Sequence, residues 1–168
     1  MANRRAKSIF LFQWLAAILL VACAGSEPMT PQETVSIAVW DLEDLSPVAH
    51  GQAGMEAMLA GQIAARFGEN PAYQVVERQH LLKAMEELHL GSSDLADPQA
   101  CLKLGHLIGA RQMIFGAYQV IGSTLRIDLR RVDVASGKVV KTASGTAGVK
   151  DLSQWLAVAD KAAGELLR

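Results

Sequence analysis

Four histidines, two cysteines and one tight group of carboxylates are the side chains of this 168-residue sequence that could hold a metal, attack a substrate or move a proton. His50, His80, His89 and His106 include no pair at i, i+4, and no cysteine stands at metal spacing. A zinc site needs three or four converging ligands, so these histidines read as solvated or half-buried groups and no metal is expected. A G-x-S-x-G nucleophile elbow is absent. Cys101 falls on the helical face of Leu104 and Ile108, and reads as a small core residue rather than a catalytic thiol. Asp41, Glu43 and Asp44 cluster after an apolar run. Such carboxylates could bind a cation or work as acid and base, or form a solvated loop. With no fourth ligand or partner acid nearby, the loop is the better reading. Gly51-Gln52-Ala53-Gly54 opens a helix whose free N–H groups could hold an anion, but the Walker lysine and the G-x-G-x-x-G pattern are both missing. No catalytic residue and no cofactor is assigned. That silence favours a binding or assembly module over an enzyme.

The amino-terminal residues carry a clearer chemical signal. Arg4, Arg5 and Lys7 precede an apolar run from Ile9 to Ala22, interrupted by Gln13. The run is 14 residues long, whereas a spanning helix needs ~20, so it fits the h-region of an export signal. It ends in Leu20-Val21-Ala22-Cys23, which resembles the lipobox of bacterial lipoproteins. That resemblance implies cleavage before Cys23 and a diacylglycerol on its thiol. It also implies the outer membrane of a Gram-negative host, since Ala24 and not Asp follows the cysteine. Residues 1–22 are thus read as the signal peptide and 23–34, with two prolines, as a lipidated tether. The domain is read as 35–168. If Cys23 carries lipid, Cys101 has no partner and a structural disulfide is excluded.

The 146 residues after the signal suffice for one domain of ordinary size. They carry 13 basic and 17 acidic residues, a net charge of −4, which argues against a nucleic-acid partner. Only 5% of the residues are aromatic, too few for base-stacking platforms.

Within the domain the apolar run Val35 to Trp40 predicts a buried first strand, followed by a polar loop from Asp41 to Gly51. Met55, Met58, Leu59, Ile63 and Phe67 recur at helical spacing, and Gly68-Glu69-Asn70-Pro71 stops that helix. Tyr73 to Glu77 reads as a second strand, and Leu81, Leu82, Met85 and Leu88 mark a second helix. Asp97-Pro98 supplies a capping carboxylate and an N1 proline for a third helix, which Gly109 ends in the left-handed conformation. Met113 to Val120 is a third strand, turned at Gly122-Ser123. Leu125, Ile127 and Leu129 then alternate with Arg126, Asp128 and Arg130, the pattern of a half-buried antiparallel strand. The phase is broken at Arg131-Val132, where a bulge is expected. Ala135 to Lys138 turns the chain into a strand over Val139 to Ala147, and a last helix begins at the Asp151 cap. The order β-α-β-α-α-β-β-β-α predicts an α+β (α/β) fold. Its mixed sheet has about five strands with helices packed on it, the first two strands parallel and the last three a meander. Gly105, Gly109 and Gly116 read as packing and turn glycines.

The meander also carries Arg126, Arg130, Arg131, Lys138 and Lys141, interleaved with Asp128 and Asp133. A solvated sheet face is one reading. A face that contacts a protein partner is the other, and it is the best local candidate for a functional surface.

From Tyr73 onward the pattern resembles a known family. Val76-Glu77-Arg78 is followed by Leu81, Leu82 and Glu86-Glu87. Then come Leu104-Gly105, Ile108-Gly109-Ala110, Ile114-Phe115-Gly116 and Val132-Asp133-Val134-Ala135-Ser136-Gly137-Lys138-Val139-Val140. Their order and spacing resemble the CsgG family, the curli production assembly/transport component family, related to the LpoB- and FlgO-type outer-membrane lipoproteins. The resemblance covers about residues 35–147 and also implies a lipid on Cys23. Glu77 and Arg78 match the family's Glu-Arg pair, for which a salt bridge or cap is the physical expectation. The long hairpins that close a membrane barrel in the channel members have no counterpart, since the loops at 41–51, 68–72 and 90–97 are short. Charges such as Arg126 and Arg130 at mid-membrane would cost about 2–4 kcal/mol each.

The resemblance therefore implies a non-enzymatic assembly or adaptor component of a secretion or cell-envelope machine, without the pore. It would be anchored in the outer membrane through Cys23 alone and face the periplasm, where it meets a protein partner. A regulator of a peptidoglycan synthase, a flagellar-base lipoprotein and a ring-forming structural protein remain alternatives, and a homo-oligomer stays open.

Overall fold

The computed structural model describes residues 33–47, 54–90, 97–148 and 151–168. Its elements, in chain order, are β1 (Val35–Val39), β2 (Glu43–Asp44), α1 (Met55–Gly68), β3 (Tyr73–Val75), α2 (Arg78–Glu87), α3 (Pro98–Leu107), β4 (Gln112–Ile121), β5 (Thr124–Asp133), β6 (Val139–Gly148) and α4 (Leu152–Leu167). They form one mixed sheet in the order β3-β1-β4-β5-β6, with β2 beside β4. β1 lies parallel to β3 and β4, and β4, β5 and β6 are an antiparallel meander. This is the expected α+β architecture, with one addition. The segment read as a polar loop contributes β2, which continues along the edge of β4 where β1 leaves off. The Trp40 and Leu45 amides donate to the Ile114 and Tyr118 carbonyls, and Leu42 is buried between them. Left as a loop, this segment would leave the second half of that β4 edge unpaired.

The alternation of side chains divides the core into two. On one face α1 and α4 cover Ile37, Ile114, Tyr118, Leu125, Ile127 and Leu129 with Ile63, Phe67, Trp155 and Leu166. On the other, Leu81, Met85 and Leu104 from α2 and α3 pack on Ala38, Met113 and Phe115. The two helices on this second face reach β1 and the first half of β4. Beyond them, Arg126, Arg130, Thr142, Ser144 and Thr146 stay exposed.

Three glycines act as their positions suggest. Gly109 has φ +67°, the left-handed turn after α3. A Cβ on Gly105 would run into Val134, and one on Gly116 would lie 2.5 Å from Leu129 Cδ2 and 2.7 Å from the Asp128 carbonyl oxygen. The bulge is also present, between Arg131 and Val132 in the β5–β6 pairing. Its extra residue is Val140 on β6, since Arg131 pairs with Lys141 and Val132 with Val139. β5 itself keeps its alternation, which turns Arg131 inward.

Both expected helix caps form. The Asp97 carboxylate accepts from the Gln99 amide at 3.0 Å, and Asp151 accepts from the Gln154 amide at 3.0 Å. The Ser153 hydroxyl and then the Gln154 amide hold the Asp151 carboxyl below the usual carboxylate range, and Ser136 does the same for Asp133 in the β5–β6 turn. A carboxyl depressed in the folded state stabilises above its unfolded value and loses that contribution as pH falls through the folded one. The melting temperature should therefore drop on acidification below about pH 4. Asp151→Asn keeps the capping oxygen but cannot titrate, and its acid-side drop should be shallower. Parallel slopes for the two proteins would contradict this assignment.

Candidate docking face

The structure separates the five basic residues of the meander. Arg126 and Arg130 stand on the uncovered face of the sheet. Arg131 and Lys141, opposite each other, point to the helix-covered face, and Lys138 is exposed in the turn. Cys23 and His50 lie outside the described residues, as do residues 51–53 and the side chain of Cys101.

On the uncovered face three rows cross the meander: Phe115–Arg130–Thr142, Ala117–Asp128–Ser144 and Gln119–Arg126–Thr146. Each is fixed by strand register. The Arg130 guanidinium lies 5.6 Å over the Phe115 ring, a cation–π contact. Arg126 donates to both carboxylate oxygens of Asp128, at 2.7 and 2.9 Å, which aligns the two side chains along the strand. A groove of about 1180 Å³ is lined by the Trp40–Asp44 segment and by stretches of β4, β5 and β6 around Gly116, Leu129 and Ala143, with Glu56 of α1 and Glu165 of α4. Ile121, the last residue of β4, is 60% exposed. The face thus combines arginines held in position, hydroxyls from Thr142, Ser144 and Thr146, and apolar area. That composition suits protein contact, where arginine is enriched.

The acidic trio does not converge. Asp41 forms a two-point ion pair with Arg78 at the start of α2. Asp44 accepts from the Ser46 amide at 2.8 Å, while Glu43 is exposed. Among the described residues no group of three or more His, Cys, Asp or Glu could hold a metal ion. Burial first, and then the carboxylates of Asp44 and Glu56, push the Tyr118 phenol far above its ordinary range, so it stays protonated. Of the Glu77–Arg78 pair, Arg78 makes the salt bridge. Glu77 occupies the N-cap position of α2 without a side-chain cap bond.

Sequence reasoning missed three contacts: Arg78–Asp41, Arg130–Phe115 and Arg131–Tyr73. Arg131 is buried to 9% exposure and lies across the sheet. One Nη donates to the Tyr73 hydroxyl at 2.6 Å, and the guanidinium sits 5.9 Å from that ring. Its Nε is buried and has no hydrogen-bond partner among the described residues. The signal for an inward Arg131 was present, in the unbroken alternation from Leu125 to Arg131.

Comparison with family models matches residues 21–124 to the curli production assembly/transport component CsgG. The chain belongs to the CsgG family. The match spans β1 through β4 and ends as β5 begins, so the 132–140 stretch of the resemblance lies beyond it. Solved structures share the fold found here at low identity. The LpoB C-terminal domain from Escherichia coli superposes with a TM-score of 0.58 at 12% identity, covering 77% of this chain and 93% of that one. Lipoprotein GNA1162 from Neisseria meningitidis gives 0.57 at 22% identity, covering 79% and 96%. The PelC dodecamer from Paraburkholderia phytofirmans gives 0.50 at 14% identity, covering 77% and 86%. A comparison with curated proteins finds no match. Among the described residues no helix is long and apolar enough to cross a membrane.

Proposed function

We propose that this CsgG-family chain is a non-enzymatic, lipid-anchored component of a cell-envelope assembly or secretion machine. Cys23 holds it at the outer membrane, facing the periplasm, and the uncovered meander face docks a protein partner. The observation that carries the docking role is the exposed run of Arg126, Asp128 and Arg130 on β5, beyond the reach of α2 and α3, with Arg130 lying over the ring of the helix-covered Phe115. The anchoring role is supported by the short apolar run ending at Cys23. Two of the proteins that share its fold are LpoB and the lipoprotein GNA1162, which agrees with this setting. The absence of long hairpins in the sequence supports a role without a pore of its own.

Double charge reversal, Arg126→Glu with Arg130→Glu, tests the docking face. Both side chains are exposed, so the melting temperature should hold. Capture of the envelope partner by tagged full-length protein from crosslinked cells should fall at least about tenfold, the loss of about 1.4 kcal/mol. Undiminished capture of the same partner would remove this face from the account.

A further inference from the structure

We infer that the outer edge of β6 pairs antiparallel with the β6 of a second copy of this chain, about a two-fold axis through Ser144. Among the described residues β6 has one neighbour, β5, so the main-chain groups along its other side have no strand beside them. Natural edges of this length are blunted by charges, prolines or bulges, because an open edge is a template for another strand. Here the blunting devices stand at one end: the extra residue Val140 and the single charge Lys141. The run from Thr142 to Gly148 carries no charge and no proline.

The occupant follows from the strand's own order. Thr142-Ala143-Ser144-Gly145-Thr146 reads nearly the same in both directions. Rotation about Ser144 places Thr142 opposite Thr146 of the second copy, Ser144 opposite Ser144, and Ala143 opposite Gly145. Hydroxyl side chains then face hydroxyl side chains on the uncovered face, pairs that stabilise a sheet. Small residues meet on the face that carries α4. Lys141 lands opposite Ala147, so no like charges oppose each other. A foreign strand could use the same edge, but it would not need this symmetry. The inference does not depend on the anchor at Cys23.

The test uses the full chain with Cys23→Ser and Cys101→Ala, so that an introduced thiol is the only one. Ser144→Cys should give a disulfide-linked species of doubled mass in cells under mild oxidant. Lys161→Cys, exposed on α4, should not. In sedimentation of the otherwise native chain, a concentration-dependent dimer is expected. Thr142→Lys with Thr146→Lys should abolish it, because it would bring lysines opposite each other, and should leave the melting temperature unchanged at dilutions where the native chain is monomeric, because both residues are exposed. Four results would overturn self-pairing. One is a monomer at every concentration reached. Another is a dimer that survives the paired lysines. A Ser144→Cys adduct with a protein of another mass would give the edge to a foreign strand. A monomer whose β6 amides are protected from exchange would give it to a segment of the same chain.

Discussion

Cys23→Ser is expected to move the protein from the sedimenting envelope fraction to the soluble one while leaving its unfolding transition where it was. The 14 apolar residues before Cys23 are too few to span the hydrocarbon core, and no described helix can cross a membrane. In the anchoring proposed for Cys23, retention rests on acyl chains, each buried CH₂ contributing about 0.8 kcal/mol. A lipoprotein carries more than one chain, so the thiol at position 23 governs an effect of several orders of magnitude in partitioning. Both hydrophobic cores are built from residues between Ile37 and Leu166, which is why the melting temperature should not follow. A serine variant that stays with the membrane would show that something other than acylation holds it there.

Tyr73→Phe should destabilise the domain by about 1–3 kcal/mol in urea unfolding, a large effect for the loss of one oxygen. The Tyr73 hydroxyl accepts the one hydrogen bond found for the buried Arg131 guanidinium, whose Nε already lacks a partner. Removing the acceptor leaves that Nη, beside the already unpartnered Nε, without its hydrogen bond among the described residues, while the ring contact remains. Replacing the charge itself has the opposite expectation. Arg131→Met fills similar space without the desolvation cost and should be neutral or stabilising by up to about 4 kcal/mol. In the Arg131→Met background, Tyr73→Phe should cost far less than in the native chain. Equal costs in the two backgrounds would show that the arginine and the tyrosine are not coupled.

Those two residues also mark where the sequence can be read and where it cannot. Alternation at Leu125, Ile127 and Leu129, the caps at Asp97 and Asp151, and the glycines at 105, 109 and 116 are local signals, each with one physical cause. They led directly to observed elements and contacts. The β2 segment was hidden because pairing is non-local. Glu43 and Asp44 have no strand preference, and they pair because β4 offers an edge there. Arg131 was misleading because charge outweighed period in reading it. The structure keeps the period, and the long side chain carries its charge across the sheet to Tyr73. The basic stripe was legible as residues but not as a surface. Which of its members share a face depends on the phase of β5 and on the extra residue in β6. The Arg130–Phe115 contact likewise needs the β4–β5 register, which no single segment encodes.

Lipid anchoring requires Cys23 to be the first residue of the mature chain, and intact-mass analysis of the protein purified from membranes identifies that residue directly. The expected mass begins at Cys23, lacks residues 1–22 and carries the added mass of a diacylglycerol. A chain that retains its amino terminus, or one that begins elsewhere with a free thiol at Cys23, would contradict the anchoring role and with it the assignment to the outer membrane.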